Sequence, residues 1–394
     1  MKPVSMKPLG MKLIVGFMPL LDCASLVVAL ERGFAAEEGL DLRLVRETSW
    51  ANIRDRVIVG QFDLAHMLAP MTIASTIGIG HVKTPLMAPF SLGLGGNAIT
   101  VSLPLWEEMV REGATEGEFS PSQGEALRRV VDAREGSRSD PLTFGVVYPF
   151  SCHNYELRYW FAAAGIDPDR DVRLTVIPPP FLADALRTGQ IDGFCVGEPW
   201  NSVAVDAGVG AIVTPTTALW PLGPEKVLGC RTDWAERYPE ALAALLRAVY
   251  HAARWTEAPE NHTEVARLLA EPRYVGTSAG LLHRALAGRM ALLPGAEPRA
   301  LESFFVPASH HATFPWVSHA LWLYTQMVYW RQTEHSAENL AAARQTYRPD
   351  LYRSALAGVD PDIPQIDLKP ERFFDGRSFD PEHLTTWLER RDAD

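Results

Sequence analysis

The chain has 394 residues, 47% hydrophobic and 22% charged, with a formal net charge of -11, and its mean hydropathy is near zero. This length suits two or three domains of a soluble globular protein. No basic stripe and no uncharged apolar run of about 18 residues is present, so direct nucleic-acid contact and a membrane span are excluded as expectations. Cys23, Cys152, Cys195 and Cys230 are far apart and lack CxxC or His/Cys spacing, which reads as four small buried hydrophobes.

From Leu13 the pattern predicts a strand (Lys12 to Phe17), a helix (Ser25 to Glu38), a strand (Asp41 to Val45) and a helix (Ala51 to Val59). The turn and strand "GQFDLAHML" follow. Gly39 and Gly60 stand where helix C-termini take a left-handed residue, and the whole is a βαβαβ unit with a parallel sheet. The same succession returns from Leu142. Gly60-Gln61-Phe62-Asp63 matches Gly189-Gln190-Ile191-Asp192, 129 positions later, and Gly16 matches Gly145 at the same interval. Two homologous α/β lobes are therefore expected. The opening stretch "MKLIVGFMPLLDCASLVVAL" resembles an export signal, but its counterpart in the second copy is plain strand and helix. Asp22 and Pro19 also break the signal pattern, so it is read as retained structure.

Residues 107 to 140 are charged and poor in large apolar residues, which predicts surface helices outside the core. Beyond residue 232 three amphipathic helical stretches follow, expected to pack back against the first lobe.

In parallel sheets ligands bind beyond the carboxyl ends of strands. The loops there carry Trp50, an indole wall with one N–H donor, and His153 at a helix start, where a donor and the helix dipole favour an anion. Gly95-Gly96-Asn97 is a glycine-rich crossing turn, and Lys226 is a positive charge flanked by apolar residues. Each has an ordinary structural reading too: packing for Trp50, capping for His153, a turn for Gly96, solvation for Lys226. His310, His311 and His319 lack ligand spacing, no GxSxG or phosphate-cradling glycine motif occurs, and the neighbours Cys152 and His153 do not define a nucleophile and base. Binding without turnover, with no cofactor and no metal, is the simpler expectation.

The segments "ETSWANIRD", "DLAHMLAPM", "GGNAITVS", "HNYELRYWFAAAGIDPD", "PPPFLADALRTGQIDGFCVGEPWN", "PEKVLG" and "SHALWLYTQM" together resemble the nitrate- and bicarbonate-binding proteins of ABC transport systems, collinearly from about residue 12 to 380. The resemblance implies an α/β, two-lobed periplasmic-binding-protein-like clamp of type II. Each lobe would hold a parallel-dominated sheet flanked by helices, with extra C-terminal helices. It places lobe I at residues 1–104 and 215–394, and lobe II at 105–214. It implies that Trp50, Gly96, Asn97, His153 and Lys226 line the anion pocket, with Asn97 where the family often has glutamine, and that Glu198 is a hinge or wall residue.

Nitrate offers only acceptors, whereas bicarbonate must also donate, and Glu225 beside Lys226 would serve that need. Only "MKPVSMKPLG" precedes the first strand, which implies the cytoplasmic branch similar to the NasS-type nitrate/nitrite sensor. That branch holds an RNA-binding antiterminator of the NasT type until the anion binds. The alternatives are a receptor feeding a nitrate or bicarbonate ABC transporter, and an enzyme of the thiamine-pyrimidine type, which would require a clustered cysteine and histidine set.

Overall fold

The computed structural model describes residues 10–391 except 81 and 138. Eleven strands matter here: β1 Met11–Phe17, β2 Leu40–Arg46, β3 Leu64–Leu68, β4 Leu86–Ser91, β5 Leu94–Gly95, β6 Asn97–Ser102, β7 Thr143–Val146, β8 Arg173–Val176, β9 Gly193–Gly197, β10 Gly210–Pro215 and β11 Lys226–Arg231. They form two five-stranded sheets, β2-β1-β3-β11-β4 and β8-β7-β9-β6-β10. The two orders are the same architecture used twice. Each sheet has a three-stranded parallel core extended by one strand that runs against it, β11 beside β3 or β6 beside β9, and each of these comes from the other half of the chain and pairs antiparallel with an edge strand, β4 or β10.

The sequence repeat has a physical content. Asp63 Oδ2 accepts from the Ile14 N–H at 2.8 Å, and Asp192 Oδ2 accepts from the Thr143 N–H at the same distance. In both lobes the aspartate of the Gly-Gln-x-Asp turn thus ties the entry of the third strand to the first. Gly16 and Gly145 are glycines for a matching reason. A Cβ on Gly16 would meet the Phe62 ring at 2.3 Å, and one on Gly145 would meet Leu182 at 2.8 Å and Ile191 at 3.2 Å.

Several sequence expectations are revised. The helix expected over Ser25 to Glu38 is a 3-10 turn, Leu21–Cys23, then a helix Ala24–Glu31 and a short helix Phe34–Glu37. Gly33, at φ 81°, takes the left-handed conformation that separates the two helices. Residues 107 to 140 are not outside the core. The helix Ser122–Gly136 buries Ala126, Leu127, Val130 and Val131 against the second sheet, and its charges occupy the opposite face. The boundary expected at 104/105 falls after β6, yet β6 pairs with β9 and β10 of the second sheet, so the first crossing lies at Gly95 and Gly96.

The two crossings lie side by side: the Gly95 N–H donates to the Gly223 carbonyl at 2.9 Å, and β5 also pairs with Phe305–Val306. Gly95 has φ 69°, and a Cβ there would sit 2.4 Å from the Phe304 carbonyl oxygen.

The C-terminal helices pack on lobe I, with Pro239–Glu257 against Ala24–Glu31, and they also reach lobe II. Trp322 of the helix Val317–Tyr329 packs near Tyr159, with ring centroids 6.2 Å apart. The Tyr155 hydroxyl donates to Gln332 Oε1 at 2.6 Å. Among the described residues no helix is long and apolar enough to cross a membrane.

Asp63 also accepts from the Trp234 indole N–H at 3.0 Å. Asp63→Ala is therefore expected to cost about 2 to 3 kcal/mol and Asp192→Ala about 1 to 2 kcal/mol, from the number of donors each leaves unmatched. Urea unfolding of the two variants checks the order.

Candidate functional site

Lys226 opens β11 opposite Leu68, the last residue of β3, and Asn97 opens β6 opposite Gly197, the last residue of β9. The two residues hold equivalent positions in the two lobes, each at the carboxyl end of a parallel core. Between them the lobes are shut. The Leu21 N–H donates to the Glu198 carbonyl at 2.8 Å, the Trp200 indole N–H donates to the Pro19 carbonyl at 3.0 Å, and Arg54 of lobe I donates to the Tyr148 hydroxyl of lobe II.

Inside lies a compartment of polar side chains closed to solvent: Lys226, His66, His153 and Asn97 are 0% exposed, and Trp50, Glu225, Glu156 and Asp22 are all buried. The Lys226 ammonium sits 2.9 Å from Asp22 Oδ2, pairs with the Glu225 carboxylate, and lies over the Trp50 ring, 5.7 Å from its centroid. His66 of β3 accepts from the Met18 N–H at Nδ1 (3.4 Å), which leaves Nε2 protonated toward Asp22 Oδ1, a bent contact of 3.0 Å. From lobe II, His153 Nε2 stands 3.5 Å from Glu225 Oε2, and the Cys152 thiol donates weakly to the Glu225 carbonyl at 3.6 Å. Asn97 Nδ2 donates to Glu156 Oε2 at 3.0 Å.

The electrostatics follow from burial and from Lys226. Burial alone would raise the Asp22 carboxyl, but Lys226 and His66 hold it well below the usual carboxylate range. His153 is pushed well below the ordinary imidazole value by burial and then by Lys226, against a smaller opposing pull from Asp22, so it is a neutral donor and acceptor at pH 7. Glu156 is pushed up to about 7 by burial, with Asn97 and Lys226 opposing. Burial raises the Cys152 thiol well above its ordinary value, which leaves it without nucleophilic thiolate.

Seven polar atoms here have no hydrogen-bond partner among the described residues: Asp22 Oδ1, Trp50 Nε1, His66 Nε2, Asn97 Oδ1, both nitrogens of His153, and Glu225 Oε1. Buried polar atoms are normally paired. A concentration of unpaired donors and acceptors around one ammonium is suited to a small polar anion.

The structure brings Trp50, His153 and Lys226 together and links Asn97 to them through Glu156. Trp50 is not in a loop as the sequence pattern predicts; it is the first residue of the helix Trp50–Ile58, capped only by backbone, with Ser49 extended before it. Gly96 and Glu198 stand apart from the charged cluster. The Gly96 N–H is taken by the Phe304 carbonyl (2.6 Å), and its own carbonyl accepts from the Glu198 N–H (2.9 Å). Both serve the crossing between lobes. The Glu198 side chain turns to its own chain and accepts from the Ser202 N–H at 3.3 Å.

Sequence reasoning missed Asp22, His66 and Glu156. Asp22 follows β1 in the very loop a parallel sheet marks for inspection, whereas His66 and Glu156 lie inside a strand and a helix with nothing local to distinguish them. His310, His311 and His319 do not converge: His319 is buried 3.2 Å from Glu371, and the other two are exposed. No metal-holding group of His, Cys, Asp and Glu occurs among the described residues.

A two-lobed α/β clamp shut over one small polar compartment is the architecture of the periplasmic-binding-protein fold. The chain matches the NMT1-like family over residues 7–270 and belongs to that family. It is 35% identical over 386 residues to the nitrate/nitrite binding protein NrtA of Synechococcus elongatus, which covers 95% of this chain and 85% of that one. It is 28% identical over 403 residues to the bicarbonate-binding protein CmpA of a Synechococcus species, with the same coverage. The crystal structure of the periplasmic nitrate-binding protein NrtA from Synechocystis PCC 6803 superimposes with a TM-score of 0.87 at 28% identity, covering 96% of this chain and 97% of that one.

Glu198 is pushed up to about 7 by burial, with Ser202 and Asn201 opposing. Its folded value lies above the ordinary carboxyl value, so the folded state keeps a proton that the unfolded chain releases, and this group erodes stability as pH rises from about 4.5 to about 7. Glu198→Gln is accordingly expected to melt higher than the native chain at pH 8, by roughly 1 to 3 kcal/mol at 1.4 kcal/mol per unit, with the gap closing toward pH 4.5. Thermal melts at the two pH values check it.

Proposed function

We propose that the chain is a receptor for nitrate or nitrite that delivers the anion to an ABC-type importer. The observation that carries the reading is Lys226, a full positive charge in a closed compartment, ringed by the neutral donors His153 and Trp50 Nε1. Nitrate has only acceptors, and these are the groups it needs. The relatives named for nitrate/nitrite binding and for nitrate import support the same direction. The role is binding without turnover, since Cys152, the one thiol beside His153, is held protonated by burial.

Two other readings have specific discriminators. Bicarbonate is favoured by the buried acceptors without a partner, Glu225 Oε1, Asp22 Oδ1 and Asn97 Oδ1, which its hydroxyl would satisfy. The cytoplasmic sensor reading, in which the anion controls an NasT-type antiterminator, uses the same clamp and the same site. It differs from the receptor reading only in where the chain resides and what it meets. Fractionation of the native cell, together with co-purification in the presence and absence of nitrate, separates them: recovery with an antiterminator favours the sensor, and recovery with a permease favours the receptor.

Calorimetric titration with nitrate, nitrite and bicarbonate tests the ligand. Lys226→Gln is expected to weaken nitrate about 10- to 100-fold, the loss of a charge-assisted hydrogen bond of roughly 1.5 to 3 kcal/mol. Trp50→Phe keeps the ring and removes only the N–H, and should weaken it about fivefold. Unchanged affinity in both variants, with circular dichroism showing native folds, would place the anion elsewhere.

A further inference from the structure

The charge balance of the compartment has a consequence that rests on the anion-binding reading. The Lys226 ammonium has two carboxylate neighbours, Asp22 Oδ2 at 2.9 Å and Glu225. A monoanion placed on Lys226 brings a third negative charge into a space shielded from water. Like charges sharing such a site do not all remain ionised, and one group takes a proton.

Stereochemistry selects the group. An ionised carboxylate is an acceptor only, and nitrate is an acceptor only, so Glu225 Oε1, unpartnered in this compartment, faces such a ligand as acceptor against acceptor. A proton on Glu225 converts that oxygen into a donor. Asp22 is a poorer recipient, because Lys226 and His66 both face it and hold its carboxyl well below the usual carboxylate range. Glu156 is engaged with Asn97 Nδ2. The charged and titratable groups around Glu225 are Asp22 from the 3-10 turn, His66 from β3, Cys152, His153 and Glu156 from the helix Cys152–Ala163, and its neighbour Lys226 at the start of β11. Of these, His153 Nε2 lies 3.5 Å from Glu225 Oε2.

We propose that Glu225 sets the proton count of the site: binding of a hydrogen-free monoanion such as nitrate transfers one proton from solvent to the Glu225 carboxylate, and the neutral carboxyl then donates to the anion. The balance is one carboxylate, one nitrate and one proton giving one carboxyl and one bound nitrate. An anion that carries its own hydroxyl, such as bicarbonate, supplies the hydrogen itself and requires no uptake. Because binding consumes a proton, affinity is full at low pH and is lost as pH rises.

The test is calorimetric titration of the full chain with sodium nitrate in two buffers of different ionisation heat, PIPES and Tris, repeated from pH 6 to 9. The expected result is an uptake near one proton per nitrate and a Kd that rises up to tenfold per pH unit on the alkaline side. Nitrate binding with buffer-independent heat and a flat Kd overturns the proposal and leaves the nitrate reading intact. No heat in either buffer overturns both. In Glu225→Gln the uptake should fall to near zero and the pH slope should vanish. Uptake that survives in Glu225→Gln overturns the assignment, and the pH slope of the unmodified chain decides the matter if that variant does not fold.

Discussion

An ammonium held between two carboxylates, away from water, constrains the rest of this molecule. Removing charges from solvent costs several kcal/mol per ion, and only close pairing returns it. Lys226 is therefore tolerated at the centre of the clamp because Asp22 and Glu225 flank it, and Asp22 is tolerated because Lys226 and His66 both face it. Those partners come from separate pieces of chain: the turn after β1, strand β3, and the link into β11. The antiparallel pairing of β11 with β3, Lys226 opposite Leu68, is what brings them to one point.

Lobe II contributes neutrality. His153 cannot hold a proton so close to Lys226 in a buried place, Asn97 is uncharged, and burial pushes the Glu156 carboxyl up to about 7, so the second lobe offers hydrogen bonds with little competing charge. The two lobes share a scaffold down to the aspartate that ties the third strand to the first, yet their equivalent positions carry a lysine in one and an asparagine in the other. The scaffold makes the cleft, and the difference between those two residues gives the cleft its polarity. Closure matters because it lowers the local dielectric and makes each of these contacts stronger.

The family, the duplication and the positions of Trp50, His153 and Lys226 were legible along the chain, because strand ends in a βαβ pattern announce where ligand loops fall. What was not legible has a common cause. Gly33 breaks a helix that periodicity alone continues, and the helix Ser122–Gly136 hides its apolar face among charges. Gly96, expected beside the pocket, and Glu198, expected as a hinge or wall residue, have their backbone groups committed to holding the two crossings together. His66 and Glu156 gain meaning only from residues far away in sequence.

The sequence by itself determined that two copies of one α/β unit would form, where their strands would end, and which side chains would stand at those ends, since local periodicity and turn residues act over a few positions. Only the tertiary structure decided the charge state of the site. Whether a carboxylate faces an ammonium, and whether water reaches either, depends on strand pairings across the chain and on the lobes closing over Lys226, and neither is written in any short stretch of residues.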